Sequence, residues 1–239
     1  MKRAAAAAVL AAALALAGCD GGDESETATT APPPATTTAT TTTTAAPADG
    51  RAPERAFRAF LAAAARGDVD ALWEGLSAGS RSRLGPSRAE FERSAASVLR
   101  QGLGGFSPDD ADTVVAETIS TEWAVVAVET GDQVFATALH RERGRWRVDV
   151  GGVVAVQPVH PPPGAVPRRP ELSARVDAAG PPEVTRLWLD GRPLPTTLAR
   201  AGLISAPLGA LRPGTHTVVA YAQTADDAAA TGWTIRFSG

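Results

Sequence analysis

Apolar residues in the first part of the folded chain recur at the spacing of a helix. From about Pro53 onward they lie at i, i+3, i+4 and i+7, which places them on one helical face. Proline suits a first helical turn, and Gly67 suits the position just after a last one. The apolar face of this predicted helix consists of Phe57, Phe60, Leu61 and Ala64.

Two more helices have recognisable starts. Asp68 is placed to cap a second helix, whose apolar positions are Val69, Leu72, Trp73 and Leu76. Ser87 and Glu90 have the spacing of a capping box and open a third helix, which the glycines of QGLGG end. The apolar face of the third helix consists of Phe91, Ala95, Val98 and Leu99.

After the helices, the apolar period becomes that of strands. Four short segments are rich in valine, threonine and aromatic residues: DTVVAETIS, EWAVVAVET, QVFATALHR and RWRVDV. Turn residues at 130–132 and 142–144 predict hairpins between them. Helices followed by an antiparallel meander predict an α+β domain over residues 51–155, with the helices on one face of a curved sheet.

A proline-rich segment, VQPVHPPPGAVPRRP at 156–170, is predicted to be a linker because its composition is incompatible with a helix or a central strand. Beyond it, residues 171–239 have no helical period. ELSARVDA alternates apolar and polar residues, and Asp190-Gly191 is a strong hairpin signal. Short strands at short intervals predict an all-β sandwich.

The N-terminus has the pattern of a signal peptide. Lys2 and Arg3 precede an apolar stretch of roughly 14 residues, which is shorter than the ~20 residues that a spanning helix needs. The stretch ends in LAGC, which resembles the lipobox of bacterial lipoproteins. The resemblance implies that residues 1–18 are a signal peptide cleaved between Gly18 and Cys19. It also implies that the Cys19 thiol carries a lipid anchor; the alternative is a secreted protein with an incidental Cys19.

Residues 19–50 are predicted to form a disordered stalk. They are rich in threonine, alanine and proline and contain no aromatic residue. Such a segment buries too little apolar surface to offset the entropy that ordering would cost. A lipid anchor followed by a stalk predicts a location on the extracytoplasmic face of the cell membrane, with the membrane itself as a partner.

Charge and composition exclude several kinds of site. Cleavage would remove two basic residues and leave 21 basic and 26 acidic ones, so the formal net charge would move from −3 to −5. The absence of a basic stripe argues against nucleic acid as a partner. His140, His160 and His216 are too far apart in sequence to form a ligand pair, so no metal is expected. No phosphate-binding glycine loop occurs either, and no cofactor is expected.

The first domain resembles a known superfamily. RAFLAAAARGDVDALWEGLS, followed by a meander that ends in RGRWRVDV, is similar to the nuclear-transport-factor-two-like superfamily, which includes the SnoaL-like proteins. The resemblance implies a cone-like fold with a pocket, and in its enzymes a carboxylate or histidine base. The candidates for such a base here are Asp70, Glu74 and His140. The candidate pocket-lining residues are Phe60, Trp73, Trp123, Phe135 and Trp146.

The second domain resembles bacterial Ig-like and fibronectin type III domains. LWLDGRPL, LRPGTHTVVAYA and GWTIRF are similar to a hairpin, a corner and a closing strand of those folds. The resemblance implies a sandwich of the Ig-like kind. His216 stands where the fibronectin pattern has a tyrosine, so the corner hydroxyl of that pattern is missing.

Three functions are open at the level of sequence. The leading hypothesis is a non-catalytic envelope lipoprotein, whose cone-like domain binds a small ligand or another envelope protein. The second is a SnoaL-like enzyme acting on a small hydrophobic substrate. The third is a binder of cell-wall glycan through aromatic side chains of the sandwich, with Trp188 and Tyr221 as the candidates.

Overall fold

The computed structural model describes residues 51–103, 110–165, 171–199 and 202–237. The predicted signal peptide, its cleavage site at Gly18 and Cys19, and the predicted stalk lie outside these residues. The described residues are mainly antiparallel β-strands, accompanied by helices. The helices are α1 (Arg51–Arg66), α2 (Val69–Gly75), α3 (Ala78–Leu84), α4 (Arg88–Ser94) and α5 (Ala96–Gly102).

The helix starts follow the capping residues read from the sequence. The Asp68 carboxylate accepts a hydrogen bond from the Ala71 N–H, and the Ser87 hydroxyl accepts one from the Glu90 N–H. The predicted third helix is divided into α4 and α5 near Ser94, whose hydroxyl donates to the Glu90 carbonyl at 2.7 Å. A serine that bonds back to the carbonyl four residues earlier bends a helix, which accounts for the break.

The first half contains one four-stranded antiparallel sheet in the order β1-β2-β3-β4. Its strands are β1 (Asp112–Thr118), β2 (Trp123–Thr130), β3 (Gln133–Glu142) and β4 (Arg145–Asp149). One face packs against the helices through alternate residues of β2 and through Leu139 and Val148. The predicted meander and its helix-covered face are therefore present.

The second half consists of two four-stranded antiparallel sheets that enclose a common apolar core. The first sheet contains, in order, β5 (Ala155–His160), β6 (Glu171–Asp177), β10 (Leu203–Pro207) and β9 (Thr197–Leu198). The second contains β12 (Ala228–Phe237), β11 (Gly214–Gln223), β7 (Val184–Leu189) and β8 (Arg192–Leu194). The predicted all-β sandwich is present.

The segment predicted as a linker, 156–170, begins with a strand instead. β5 extends to His160 and pairs with β6, with Pro158 opposite Ala174. Proline is tolerated there because β5 is an edge strand, on which an N–H directed away from the sheet is not needed. The chain therefore passes from the first half to the sandwich within residues 150–154; residues 166–170 lie outside the described residues.

The two halves pack tightly against each other. The face of the first sheet that carries Trp123 and Val125 meets the sandwich face that carries Trp188 and Tyr221, and all four side chains are buried. The Trp188 indole N–H donates to a carboxylate oxygen of Glu117 at 3.1 Å. The described residues therefore form four layers: the helices, the first sheet, the sheet that contains β7, β11 and β12, and the sheet that contains β5, β6 and β10.

Candidate functional site

A cavity of about 350 Å³ lies where the first half meets the sandwich. Helix α1 contributes Phe57 and Phe60 to its wall, and the end of the helical region contributes Leu99 and Leu103. The remaining wall comes from β3, the segment 150–156 and the start of β12. Most of the lining is apolar, and the volume lies within the usual range of small-molecule pockets.

The cavity exists because β4 is shorter than β3. β4 ends at Asp149, opposite Ala138, so residues 133–137 of β3 have no strand beside them on that edge. The chain then turns away through Gly151 and Gly152. A side chain at Gly152 would collide with the carboxylate of Asp227, so glycine is required for this close passage.

Asp149 is the one charged residue among the described residues that line the cavity. It is only 7% exposed. Its carboxylate accepts hydrogen bonds from the hydroxyls of Ser77 and Ser80, the latter at 2.9 Å, and Arg83 approaches both of its oxygens at 3.3 Å. The carboxylate therefore ties helix α3 to the end of β4.

Burial raises the pKa of Asp149 above its ordinary value. The Ser77 hydroxyl, the Arg83 guanidinium and the Ser80 hydroxyl oppose this shift, while the charge of Asp227 adds to it. Asp227 is itself buried, and its oxygens accept from the N–H groups of Val154 and Ala228 at 2.9 and 3.0 Å. Asp149 in the cavity wall thus has a second buried carboxyl group, that of Asp227 behind the wall, as a neighbour.

Two of the five predicted pocket-lining residues are in the cavity wall, namely Phe60 and Phe135. Trp73 instead packs on the helical side, with its ring 5.3 Å from that of Phe91. Trp123 is buried on the opposite face of the sheet, with its ring 4.6 Å from that of His140. Trp146 is half-buried beneath the Arg141 guanidinium. Aromatic residues on both faces of one sheet cannot share a pocket.

The structure does not bring the candidate bases into the cavity wall. Asp70 is exposed and forms an ion pair with Arg88. Glu74 lies at the other end of α2, where its carbonyl accepts from Arg147. His140 stacks on Trp123 and approaches Glu142 at 3.5 Å. The carboxylate that does line the cavity, Asp149, was not singled out from the sequence.

A signal for Asp149 was nevertheless present in the sequence. RWRVDV places an aspartate at the end of a strand, in phase with Arg145 and Arg147, directly before VGGVV. A carboxylate at the end of a buried strand, followed by two glycines, indicates a chain that turns around a polar group. Its partners Ser77 and Ser80 could not be assigned, because helix α3 has no apolar period of its own.

The glycan-binding hypothesis requires the side chains of Trp188 and Tyr221 to be exposed at the surface. The predicted exposure is wrong. Trp188 is 1% and Tyr221 0% exposed, and both lie between the two halves. The Tyr221 hydroxyl donates to the side-chain oxygen of Gln223 at 2.9 Å. The sequence pattern marked these aromatics as strand residues, but it carried no information about a second sheet packing over them.

His216 lies at the rim of the sandwich, near the start of β11. Its Nδ1 is 2.7 Å from a carboxylate oxygen of Asp190, and its Nε2 is 2.8 Å from the carbonyl of Arg212. Burial alone would lower the pKa of His216, but the two acceptors and the negative charge of Asp190 outweigh burial and raise it.

Within the described ranges, no group of three or more histidine, cysteine, aspartate or glutamate residues could hold a metal ion. Over the same part of the chain, no helix is both long and apolar enough to cross a membrane. The cavity wall accordingly offers apolar surface and backbone groups, together with a single carboxylate that already has protein partners.

Comparisons with known proteins give no family for the chain. No protein-family model matches it, and no curated protein matches it. A solved structure of chimeric titin Z1Z2, functionalised with a KLER peptide from decorin, is 14% identical, with a TM-score of 0.28 over 54% of this chain and 73% of that one. The N-terminal four Ig domains of Dscam1 isoform 7.44 are 9% identical, with a TM-score of 0.23 over 51% and 28%. Scores this low carry no argument about fold or function.

Proposed function

We propose that this protein is a non-catalytic, lipid-anchored lipoprotein of the cell envelope that binds a ligand in the cavity between its two halves. The single observation that carries the proposal is the cavity of about 350 Å³, with walls that are mostly apolar. Apolar surface in an open cavity of this size gains free energy when a ligand covers it and removes it from water.

The anchor and the stalk rest on sequence alone. The LAGC motif behind a positive and then an apolar segment supports lipidation of Cys19. One acyl chain gives only marginal attachment, so durable anchoring requires two or more. Residues 19–50 would then hold the folded part away from the membrane surface, on its extracytoplasmic side.

The proposal also includes a SnoaL-like cone for the first half and an Ig-like module for the second. The helices over a meander support a SnoaL-like cone, in which the hollow of the sheet forms part of the cavity. The paired antiparallel sheets support an Ig-like module. Because the face of that module with Trp188 and Tyr221 is buried against the first half, the module would serve as a wall of the cavity rather than as an independent spacer.

Ligand binding is tested by titrating the full chain with an environment-sensitive apolar dye. Val153 lines the cavity and is 67% exposed. Val153→Asp would bring a carboxylate to the mouth, where an apolar ligand would have to desolvate it. We expect dye affinity to fall about tenfold, which corresponds to about 1.4 kcal/mol.

The matched control is Val159→Asp, because Val159 is also an exposed valine, 42% accessible, but is not part of the cavity wall. Unchanged dye affinity in that variant would assign the effect to the cavity. If Val153→Asp and Val159→Asp bound the dye alike, or if the wild type bound none, the ligand-binding proposal would be rejected.

The anchor is tested separately by mass spectrometry of the mature N-terminus. An acylated peptide beginning at Cys19 is expected. A Cys19→Ala variant should remain unprocessed or be released from the membrane fraction. An unmodified N-terminus at any other residue would contradict lipidation.

A second candidate function is a SnoaL-like enzyme in which Asp149 acts as the base. The observation that favours it is a cavity-lining carboxylate with a raised pKa, within hydrogen-bond distance of two hydroxyls. Against it, both carboxylate oxygens already have protein partners. Hydrogen exchange into a panel of small ketones in D₂O, compared between wild type and Asp149→Asn, decides the matter; equal rates would exclude this role.

A further inference from the structure

We propose that the ligand of this cavity is an extended, uncharged peptide segment of a partner protein, which adds as a strand to the free edge of β12. The inference rests on the proposed ligand-binding function and goes beyond it by naming the class of ligand. It is carried by backbone groups in the cavity wall that have no partner in the rest of the described chain.

The first set of such groups is on β12. The Thr234 carbonyl accepts from the Gly164 N–H, and the Arg236 N–H donates to the Ala165 carbonyl, so even-numbered residues of β12 point away from β11. The pairing of β12 with β11 is continuous, which extends this alternation to Ala230 and Gly232. Within the described chain, neither residue has a backbone partner on that edge.

The second set is on β3. Arg141 donates its N–H to the Glu122 carbonyl on the β2 side, so even-numbered residues of β3 point to the opposite side. β4 covers that side only as far as Ala138. The N–H and C=O groups of Val134 and Ala136 therefore point past the end of β4, and among the described residues no strand receives them.

Both sets line the same cavity. An unpaired strand edge is a template for a further strand, because each of its amide groups requires a hydrogen-bond partner. Water supplies those partners in an empty cavity. An extended peptide supplies them while also covering the apolar walls, which is the physical basis of recognition by strand addition. A lipid or another molecule without amides would cover the walls but leave the edge groups unpaired.

The charge and the side-chain size of the cavity-lining residues restrict which peptides can bind. Asp149 is the only described lining residue with a formal charge, and Arg83 is paired with it. A charged ligand side chain would therefore be buried without a counter-ion, at considerable cost. The β12 part of the wall consists of the short residues Ala228 to Ala230, Thr231 and Gly232, so no long side chain of β12 covers this edge.

The test uses full-length protein and two probes: the apolar dye and a capped hexapeptide of alternating valine and threonine. The variant is Ala230→Pro, which removes an N–H directed at the cavity and leaves the ladder with β11 intact. Its matched control is Leu198→Pro on the edge strand β9, because Leu198 is exposed and its N–H also points away from its neighbouring strand.

We expect the hexapeptide to bind the wild type and Leu198→Pro with equal affinity, and Ala230→Pro at least tenfold more weakly. Dye affinity should be unchanged in Leu198→Pro, which lies outside the cavity wall. Far-ultraviolet circular dichroism and thermal unfolding, compared with the wild type, report that both variants are folded. The Ala230 and Gly232 amides should become protected from hydrogen exchange when the peptide binds. The same peptide methylated on alternate amide nitrogens should bind at least tenfold more weakly.

The outcomes separate the two proposals. Strand addition is overturned if the wild type binds the dye but not the hexapeptide. It is also overturned if Ala230→Pro binds the hexapeptide, and the wild type binds the methylated peptide, with normal affinity. In both cases the ligand-binding function stands. If neither probe binds the wild type, both proposals fail. Protection of Ala230 and Gly232 by the peptide, but not by the dye, would support an added strand.

Discussion

His216 is held by two hydrogen-bond acceptors, and this arrangement determines its protonation. A neutral imidazole has one N–H, so it can donate to the Asp190 carboxylate or to the Arg212 carbonyl, but not to both. The protonated ring donates to both. The Asp190 carboxylate also accepts from the Thr217 N–H, so the same group fixes the turn between β7 and β8.

The stability of the protein should therefore depend on His216 in a defined pH window. Because its folded-state pKa is raised above the unfolded value near 6.5, its contribution is complete below pH 6.5 and is lost as the pH rises through the folded-state pKa. We expect His216→Gln to lower the free energy of unfolding by about 1 kcal/mol at pH 5.5 and by less at pH 8.5. Urea unfolding at both pH values measures this. A loss that is the same at both values would contradict the assignment.

The stability contributed by Asp149 should also fall as the pH rises, as for His216, but the physical cause is different. Burial raises the pKa of its carboxyl group, so the native state retains this proton to higher pH than the unfolded chain does. The stability it provides is fully present below about pH 3.8 and falls as the pH rises through its folded-state pKa. Asp149→Asn cannot ionise, so we expect the wild type to lose stability relative to this variant between pH 3.5 and pH 7.

Unfolding midpoints of both proteins in urea, measured across this range, test the prediction. Exposed carboxyl groups that titrate in the same range contribute equally to both proteins and cancel in the difference. A relative gain by the wild type as the pH rises would mean that Ser77, Ser80 and Arg83 stabilise the ionised form more than burial destabilises it.

At the scale of strands and helices, a glycine stands at a point where β12 of the sandwich and β3 of the first sheet pack closely. A side chain at Gly232 of β12 would bring its Cβ to 2.4 Å from a Val134 methyl carbon of β3. We expect Gly232→Ala to lower the free energy of unfolding by about 1–3 kcal/mol, since packed side chains must move to admit the methyl group. Thermal unfolding at neutral pH gives the value.

Gly180→Ala is the matched control for this prediction. No atom lies within 4 Å of the Cβ that would be added at Gly180, and its backbone lies outside the left-handed region. Its effect should stay within about 0.5 kcal/mol. If Gly232→Ala had an equally small effect, the two sheets could not be in the close contact described.

The sequence predicts elements best where local chemistry decides them. The caps at Asp68 and Ser87 and the hairpin at Asp190-Gly191 appear where their residue types require them. Helix α3 and strand β5 were missed for local reasons too. Helix α3 contains glycine, serines and arginines without an apolar face, and β5 carries a proline that only an edge strand tolerates.

The candidate site was predicted less well, because it depends on contacts between distant parts of the chain. Phe60 and Phe135 could be named from the resemblance to the cone-like superfamily, but the resemblance does not tell on which side of the sheet the cavity opens. Trp123 shares the strand pattern and lies on the other face. The position of Asp149 in the cavity wall depends on where β4 ends relative to β3, and this register cannot be derived from the sequence.

At the scale of the whole molecule, β2 is buried on both faces, which unites the two halves. Its residues Trp123 to Val128 alternate between the helical core and the contact with the sandwich, and all are buried. The side chains of Trp188 and Tyr221 become exposed to solvent if the two halves separate. The first half and the sandwich should therefore unfold together, although each has its own apolar core.

We expect calorimetry of the wild-type protein to give a single transition, with equal calorimetric and van't Hoff enthalpies. Trp188→Ala should lower stability by about 3–5 kcal/mol and split the transition in two, because it removes a large side chain from the contact between the halves. Trp146→Ala is the control, since Trp146 packs only in the first half; it should shift one transition without dividing it. Two transitions in the wild type would mean that burial of β2 on both faces does not couple the halves, and the sandwich would then be free to move as one wall of the cavity.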